Sequence, residues 1–250
     1  MEWYIILAVV AVGFLAGFIN TLAGSGSLLT LPLLMFLGLP ANVANGTNRI
    51  AILLQNVVGV TSFKQQKVLD MRLGFWLALP TIVGSVIGAQ IAIELDELVM
   101  KRIIGGLLVV MFVLILYKPS SWIKDQAGQV TAKPGGLQMV IFFFIGIYGG
   151  FIQAGVGLFL LAGLVMGAGA DLVKANALKV FIVLLYTPLA LGIFMLNNQV
   201  NYKWGLILAA GNMLGAFVGA RVAVSWGATF VRWVLLVVIL ISATRLLGLW

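Results

Sequence analysis

The chain has 250 residues, of which 62% are hydrophobic and only 9% charged, and its mean hydropathy is +1.16. A soluble domain carries about 25% charged residues, so this chain cannot clothe a water-facing surface and takes lipid as its solvent. The net charge of +8 sits on residues scattered between apolar segments; it reads as a topology signal, not as a footprint for nucleic acid.

Apolar segments are predicted, in chain order, at 3–22, 27–38, 46–63, 73–93 and 99–117, then at 137–153, 156–168, 175–196, 204–224 and 230–249. Met1-Glu2-Trp3 runs straight into apolar sequence with no basic leader, so the first segment is expected to be retained. Between the two sets lies a polar stretch from Lys118-Pro119 to Pro134-Gly135-Gly136. The expected organisation is a first helical repeat (1–117), a cytoplasmic linker (118–136) and a second helical repeat (137–250), all-α and polytopic. Cys and His are absent, and five of the seven carboxylates (Glu2, Asp70, Glu94, Asp96, Glu97) lie in or beside predicted loops. No metal site, cofactor or enzyme activity is expected from such an inventory.

The second set repeats the first. Gly13-x3-Gly17-Phe18-Ile19-Asn20 matches Gly146-x3-Gly150-Phe151-Ile152-Gln153, and Ala23-Gly24-Ser25-Gly26 matches Ala154-Gly155-Val156-Gly157. Gly84-x3-Gly88-Ala89 matches Gly215-x3-Gly219-Ala220, and Phe63 and Lys101 match Phe194 and Arg232. Placing the basic loop of Lys64, Lys67 and Arg72 in the cytoplasm also puts Lys118, Lys124, Lys133, Lys174, Lys179, Arg221 and Arg232 there, ten of the 15 cations. The equivalent 197–203 loop then falls outside with the Glu94-Asp96-Glu97 loop. Equivalent loops on opposite faces describe an inverted-topology repeat, a construction typical of secondary transporters with a site near the midplane.

Each repeat opens with an apolar segment, a glycine break and a short second segment. Irregular backbone at membrane depth must be satisfied by protein or water, so a broken or re-entrant helix facing a cavity is expected; a tight extramembrane turn between two ordinary spans is the other reading. A half-helix starting at Ser25 or Ser27 would offer backbone N–H groups and a positive dipole end to an anion. Polar residues gather beside the breaks: Asn20, Thr21, Asn45, Thr47, Asn48 and Arg49 in the first half, with Gln55-Asn56 two turns on, and Gln153, Asn176 and Lys179 in the second. Arg49 and Lys179 align at an offset of 130 and have no adjacent carboxylate, as expected of cations awaiting an anion. Snorkelling of either side chain to the interface is the alternative.

Gly13, Gly17, Gly84, Gly88, Gly146, Gly150, Gly215 and Gly219 form small-xxx-small pairs and are expected at close helix contacts. Asn212 and Gln90 are expected to make interhelical hydrogen bonds. Trp3, Tyr4, Trp76, Tyr117, Trp122, Tyr202, Trp204 and Trp250 lie near segment ends and read as interfacial belts.

The run Gly17-Phe18-Ile19-Asn20-Thr21-Leu22-Ala23-Gly24-Ser25-Gly26-Ser27-Leu28, with Leu31-Pro32-Leu33-Leu34 and Asn45-Gly46-Thr47-Asn48-Arg49, resembles the TauE/SafE sulfite-exporter-like permeases. Ala175-Asn176-Ala177-Leu178-Lys179-Val180 and Gly215 to Arg221 are similar to that family's second repeat, so the resemblance covers essentially the whole chain. The resemblance implies transport of sulfite, an organosulfonate or a related small anion across the bacterial cytoplasmic membrane. Gly163 stands where the first repeat has Pro32, so the second half-helix is expected to be less sharply defined.

Together these readings lead to a multi-pass exporter of a small anion working by alternating access. Its expected partners are the anion and the bilayer, with no nucleic acid and with a homo-oligomer left open. The expected substrate site comprises Asn20, Gly24, Ser25, Gly26, Ser27, Thr47, Asn48, Arg49, Gln153, Gly155, Gly157, Asn176 and Lys179. An anion channel and a non-transporting assembly or sensor subunit are the alternatives.

Overall fold

A computed structural model describes residues 3–116, 135–167, 169–170 and 172–222, and these form helices and turns without strands. The helices are α1 (Trp3–Ala23), α2 (Ser27–Phe36), α3 (Ala41–Gln65), α4 (Met71–Glu94), α5 (Glu97–Leu116), α6 (Gly136–Phe151), α7 (Val156–Ala162), α8 (Leu172–Leu196) and α9 (Tyr202–Val222). A π-helical turn, Gly163–Gly167, prolongs α7. It begins at the glycine that replaces Pro32, where the sequence predicts a less regular helix. The expected segment at 230–249 and residues 118–134 of the linker lie outside the described residues, as do Arg232, Tyr117, Trp122 and Trp250.

Four of the described helices, α1, α4, α8 and α9, are long and apolar enough to cross a bilayer. α3 is as long as α8, at 25 residues, but spends its polar side chains inward. Asn45, Thr47, Asn48, Arg49, Gln55 and Asn56 are all buried, while Leu15, Val83, Ile87, Val110, Phe144 and Leu214 point outward. Polar inside and apolar outside is the arrangement a bilayer selects, because lipid cannot satisfy a polar group. Trp3, Tyr4, Trp76 and Tyr202 are exposed near helix ends, where indole and phenol rings suit the interface.

α3 starts five residues before the predicted segment. Pro40 supplies an extended N-cap (φ −53°, ψ 148°), its ring torsion being preset for a helix start. Arg49 consequently lies more than two turns inside the helix, at 1.5 Å per residue, and is fully buried. Lys179 is buried as well. Both cations are therefore committed to the interior and neither snorkels.

The glycine pairs mark where the halves touch. A Cβ on Gly17 would meet the carbonyl oxygen of Asn212 at 2.1 Å, and one on Gly215 that of Phe14 at 2.0 Å, so α1 and α9 pack backbone to backbone. Gly84 and Gly88 likewise face the carbonyls of Phe143 and Ile147, and Gly146 and Gly150 those of Thr81 and Ser85, joining α4 to α6. Gly13 and Gly219 stand at the same α1–α9 seam. Each half's first helix thus packs on the other half's fourth. α3 and α8 run antiparallel at the centre: Gly46 abuts Phe194 and Gly59 abuts Val180. Asn212 donates to Gln55 across the α3–α9 contact (3.4 Å), whereas Gln90, expected in an interhelical bond, lies on the exposed face of α4.

Asp70 begins α4 by accepting from the backbone N–H groups of Arg72 and Leu73, each at 3.0 Å. Asp70→Ala is expected to lower stability by about 1 kcal/mol through loss of this N-cap, measured as a lower thermal midpoint in detergent with transport retained.

Candidate functional site

The two glycine breaks meet. Gly24 and Gly155 both adopt left-handed backbone (φ 73° and 75°), which L side chains avoid and glycine enters freely. A Cβ on Gly24 would lie 2.4 Å from the Cα of Gly157, and one on Gly157 would lie 2.2 Å from the Cα of Gly24. The unwound backbone of one half therefore crosses that of the other inside the bundle, and only hydrogen atoms fit between them.

The left-handed residues also set the register of the repeat. All six described residues with positive φ form pairs 131 apart: Gly24 and Gly155, Gly38 and Gly169, Lys67 and Asn198. The hydrogen bonds closing α3 and α8 repeat at the same spacing, Val68 N–H to Phe63 O and Gln199 N–H to Phe194 O. The offset is thus 131 on both sides of the cations, which corrects their expected equivalence. Lys179 corresponds to Asn48 and Arg49 to Val180, so the two side chains leave their helices about 100° apart in helical phase.

Each cation nevertheless grips the other half. Arg49, on the first half's α3, donates to the carbonyls of Gly149 (3.1 Å), Gly150 (2.5 Å) and Phe151 (3.5 Å) at the end of α6. Its guanidinium lies 4.6 Å from the centroid of the Phe194 ring. Asn45 donates to Phe151 O as well (2.7 Å). Lys179, on the second half's α8, donates to the carbonyls of Asn20 (3.0 Å) and Thr21 (3.1 Å) near the end of α1, and to Asn176 Oδ1 (2.7 Å). No carboxylate is among the buried described residues. The orphan carbonyls and negative dipole end of a helix C-terminus do that work instead.

Lys179 reaches open space at the crossing. A cavity at the crossing is lined by Asn20, Ser27, Ile52, Asn56, Gln153, Val156, Gly157, Lys179 and Val183. Its volume is about 10 Å³, room for about one water. Of the expected site residues the structure brings Asn20, Ser27, Gln153, Gly157 and Lys179 together around this space. Gly24, Gly26 and Gly155 shape the crossing behind it, with Gly26 packed on the carbonyl of Ala16 and Gly155 on Met111. The Ser25 hydroxyl turns back to Ala23 O (3.4 Å). Asn176 orients Lys179, and Asn48 joins Ser27 (3.1 Å) and Thr30 (2.6 Å) in holding α2 to α3. Thr47 faces away and accepts from the Asn201 N–H in the α8–α9 loop (2.8 Å). Arg49 does not line the cavity.

Ile52, Asn56, Val156 and Val183 complete the lining and are absent from the expected site. Asn48, Ile52 and Asn56 recur every four residues on α3, and Lys179 and Val183 on α8, so helical periodicity was the available signal. Gln153 also donates to Thr187 (3.3 Å), and Thr187 to Val183 O (2.6 Å).

An apolar exterior, buried polar residues and two halves crossing at unwound backbone around a polar cavity define a multi-pass membrane transporter. The chain belongs to the TauE/SafE family: the family model described as "Sulfite exporter TauE/SafE" matches residues 9–246. Among similar curated proteins is a Sinorhizobium protein named "Probable membrane transporter protein ORF9", 30% identical over 99% of this chain and 94% of its own length. A Haemophilus influenzae "Probable membrane transporter protein" is 27% identical, covering 88% of this chain and 86% of the relative. Escherichia coli K12 YfcA, named likewise, is 29% identical over 94% and 87%. No solved structure matches significantly. With bacterial relatives and helices of this length, the chain is a multi-pass protein of the bacterial cytoplasmic membrane.

Proposed function

We propose that this protein exports a small sulfur oxyanion or organosulfonate by alternating access of two inverted repeats. The observation that carries the reading is the buried ammonium of Lys179, which lines a cavity at the crossing of the two breaks with no buried carboxylate among the described residues. A buried cation compensated only by carbonyl dipoles can pair with an incoming anion, and the pairing is strong in a dry site. Asn20, Asn56, Ser27 and Gln153 bring amide and hydroxyl groups to the same space, and these can hold the remaining oxygens of a sulfite or sulfonate group once the halves part and widen it beyond its present one-water size. The antiparallel α3 and α8 and the left-handed residues paired 131 apart support the inverted repeat. A cavity with room for one water fits an occluded conformation, from which rocking of the halves opens a path to either face. The inside-negative potential favours anion exit by about 2.3 kcal/mol per charge per 100 mV.

Counterflow in proteoliposomes of sulfite, sulfate, thiosulfate and two-carbon sulfonates tests the substrate class. At least one should exchange and should leave faster at inside-negative potential. Failure of all four rules out sulfur oxyanions. Reporters in the 94–98 and 197–203 loops should both appear outside the cell; opposite sides would refute the inverted repeat.

A further inference from the structure

Lys179 has three N–H donors, and three oxygens already take them: Asn20 O, Thr21 O and Asn176 Oδ1. No donor remains for a ligand. An anion entering the cavity can pair with this ammonium only by displacing oxygens that now hold it. Asn176 is on the same helix one turn back and moves with Lys179, whereas the two carbonyls belong to the other half of the molecule. We propose that the carried anion binds by exchange: its oxygens replace the Asn20 and Thr21 carbonyls on Lys179, so that occupancy itself unfastens the last turn of α1 from α8, while the α1–α9 seam stays packed. The inference rests on the anion-transport reading and adds how binding is converted into movement.

The geometry around α1 makes the exchange consequential. The Asn20 carbonyl also accepts from the Gly24 N–H (2.8 Å), the bond that closes α1 before the left-handed glycine packed on Gly157. Releasing Lys179 leaves this turn held by its own backbone bond alone and without its tie to α8, at the point where the two breaks cross. A ligand presenting two oxygens on one centre, as sulfite and sulfonates do, can replace both carbonyls together, and a halide has no such pair. The other clasp behaves differently. Arg49 holds three carbonyls of α6 outside the cavity lining, so no anion in the cavity competes for it. One cross-half clasp opens on binding and the other stays shut, which makes the end of α6 the fixed point of the motion and the end of α1 the moving part.

Hydrogen exchange followed by mass spectrometry on the full-length protein in detergent, without and with saturating sulfite or ethanesulfonate, tests this. Saturation is established beforehand by calorimetry on the same sample. The expected result is at least about ten-fold faster exchange in the peptide spanning 20–28, the scale of one of the two charge-assisted hydrogen bonds it gives up, with the 149–153 peptide unchanged. Lys179→Gln should show the faster 20–28 exchange without any anion and no further response to it. Arg49→Gln should loosen 149–153 yet keep the anion response at 20–28. An anion that binds by calorimetry but leaves 20–28 unchanged or better protected overturns the exchange while the transport reading stands. Chloride loosening 20–28 as much as sulfite overturns the two-oxygen requirement. If neither sulfite nor ethanesulfonate binds, both the exchange and the sulfur-oxyanion reading fall.

Discussion

Lys179→Met is expected to cut anion flux by about a hundred-fold at matched reconstitution, on top of some loss of stability from its three stranded oxygens, whereas Arg49→Met is expected to act on stability alone. The Met side chain keeps the volume of the Lys stem, so the loss at 179 is one of charge and donors. Lys179 lines the cavity, and a hydrogen bond between charged partners is worth about 1.5–3 kcal/mol, which converts to about ten- to hundred-fold or somewhat more in affinity or rate. Arg49 lies outside the cavity lining, and removing it strands three buried carbonyls at the end of α6. Stranding buried polar groups destabilises by about 3 kcal/mol. The measurements are initial flux in proteoliposomes at matched reconstitution and the thermal midpoint in detergent. Equal flux for Lys179→Met and wild type would remove Lys179 from the site; equal midpoints for Arg49→Met and wild type would remove Arg49 from the framework.

Gly24→Ala should be the most damaging single methyl in the break. It meets two separate penalties. At φ 73° an L side chain costs roughly 1–2 kcal/mol, and the new Cβ would sit 2.4 Å from the Cα of Gly157. No flexible side-chain end is available there to yield, so the crossing must open, at about 1–3 kcal/mol more. Gly38 is an internal control. It has the same handedness (φ 87°) but no atom within 4 Å of an added Cβ, so Gly38→Ala should cost the strain alone. Thermal midpoints for the two variants separate the terms. If Gly24→Ala and Gly38→Ala fall equally, the Gly24–Gly157 contact contributes nothing.

Much of the architecture was legible in the amino acids because bilayer physics writes itself into composition. Apolar runs separated by basic loops located the helices, and Gly13/Gly17 with Gly215/Gly219, like Gly84/Gly88 with Gly146/Gly150, marked positions where backbones approach. The early start of α3 was hidden, because Ala41–Arg49 is too polar to resemble a membrane segment and becomes acceptable only once neighbouring helices bury it. The candidate site was half legible. Asn20, Ser27, Gln153, Gly157 and Lys179 do meet around one cavity, but Arg49 and Thr47 turn elsewhere, and Asn56 joins from a helix turn that held no expected site residue.

The sequence by itself determined that this is a helical membrane protein whose glycine breaks and neighbouring cations recur at a nearly constant spacing. Those properties follow from local composition and spacing, which need no knowledge of neighbours. Only the tertiary structure decided what each cation does. A shift of one residue between Arg49 and Lys179 in the 131-residue register rotates a side chain by about 100°, which turns one cation towards the end of α6 and leaves the other at the cavity. Direction around a helix axis acquires meaning only from what is packed against it, and here the packing is between residues more than a hundred positions apart in the chain.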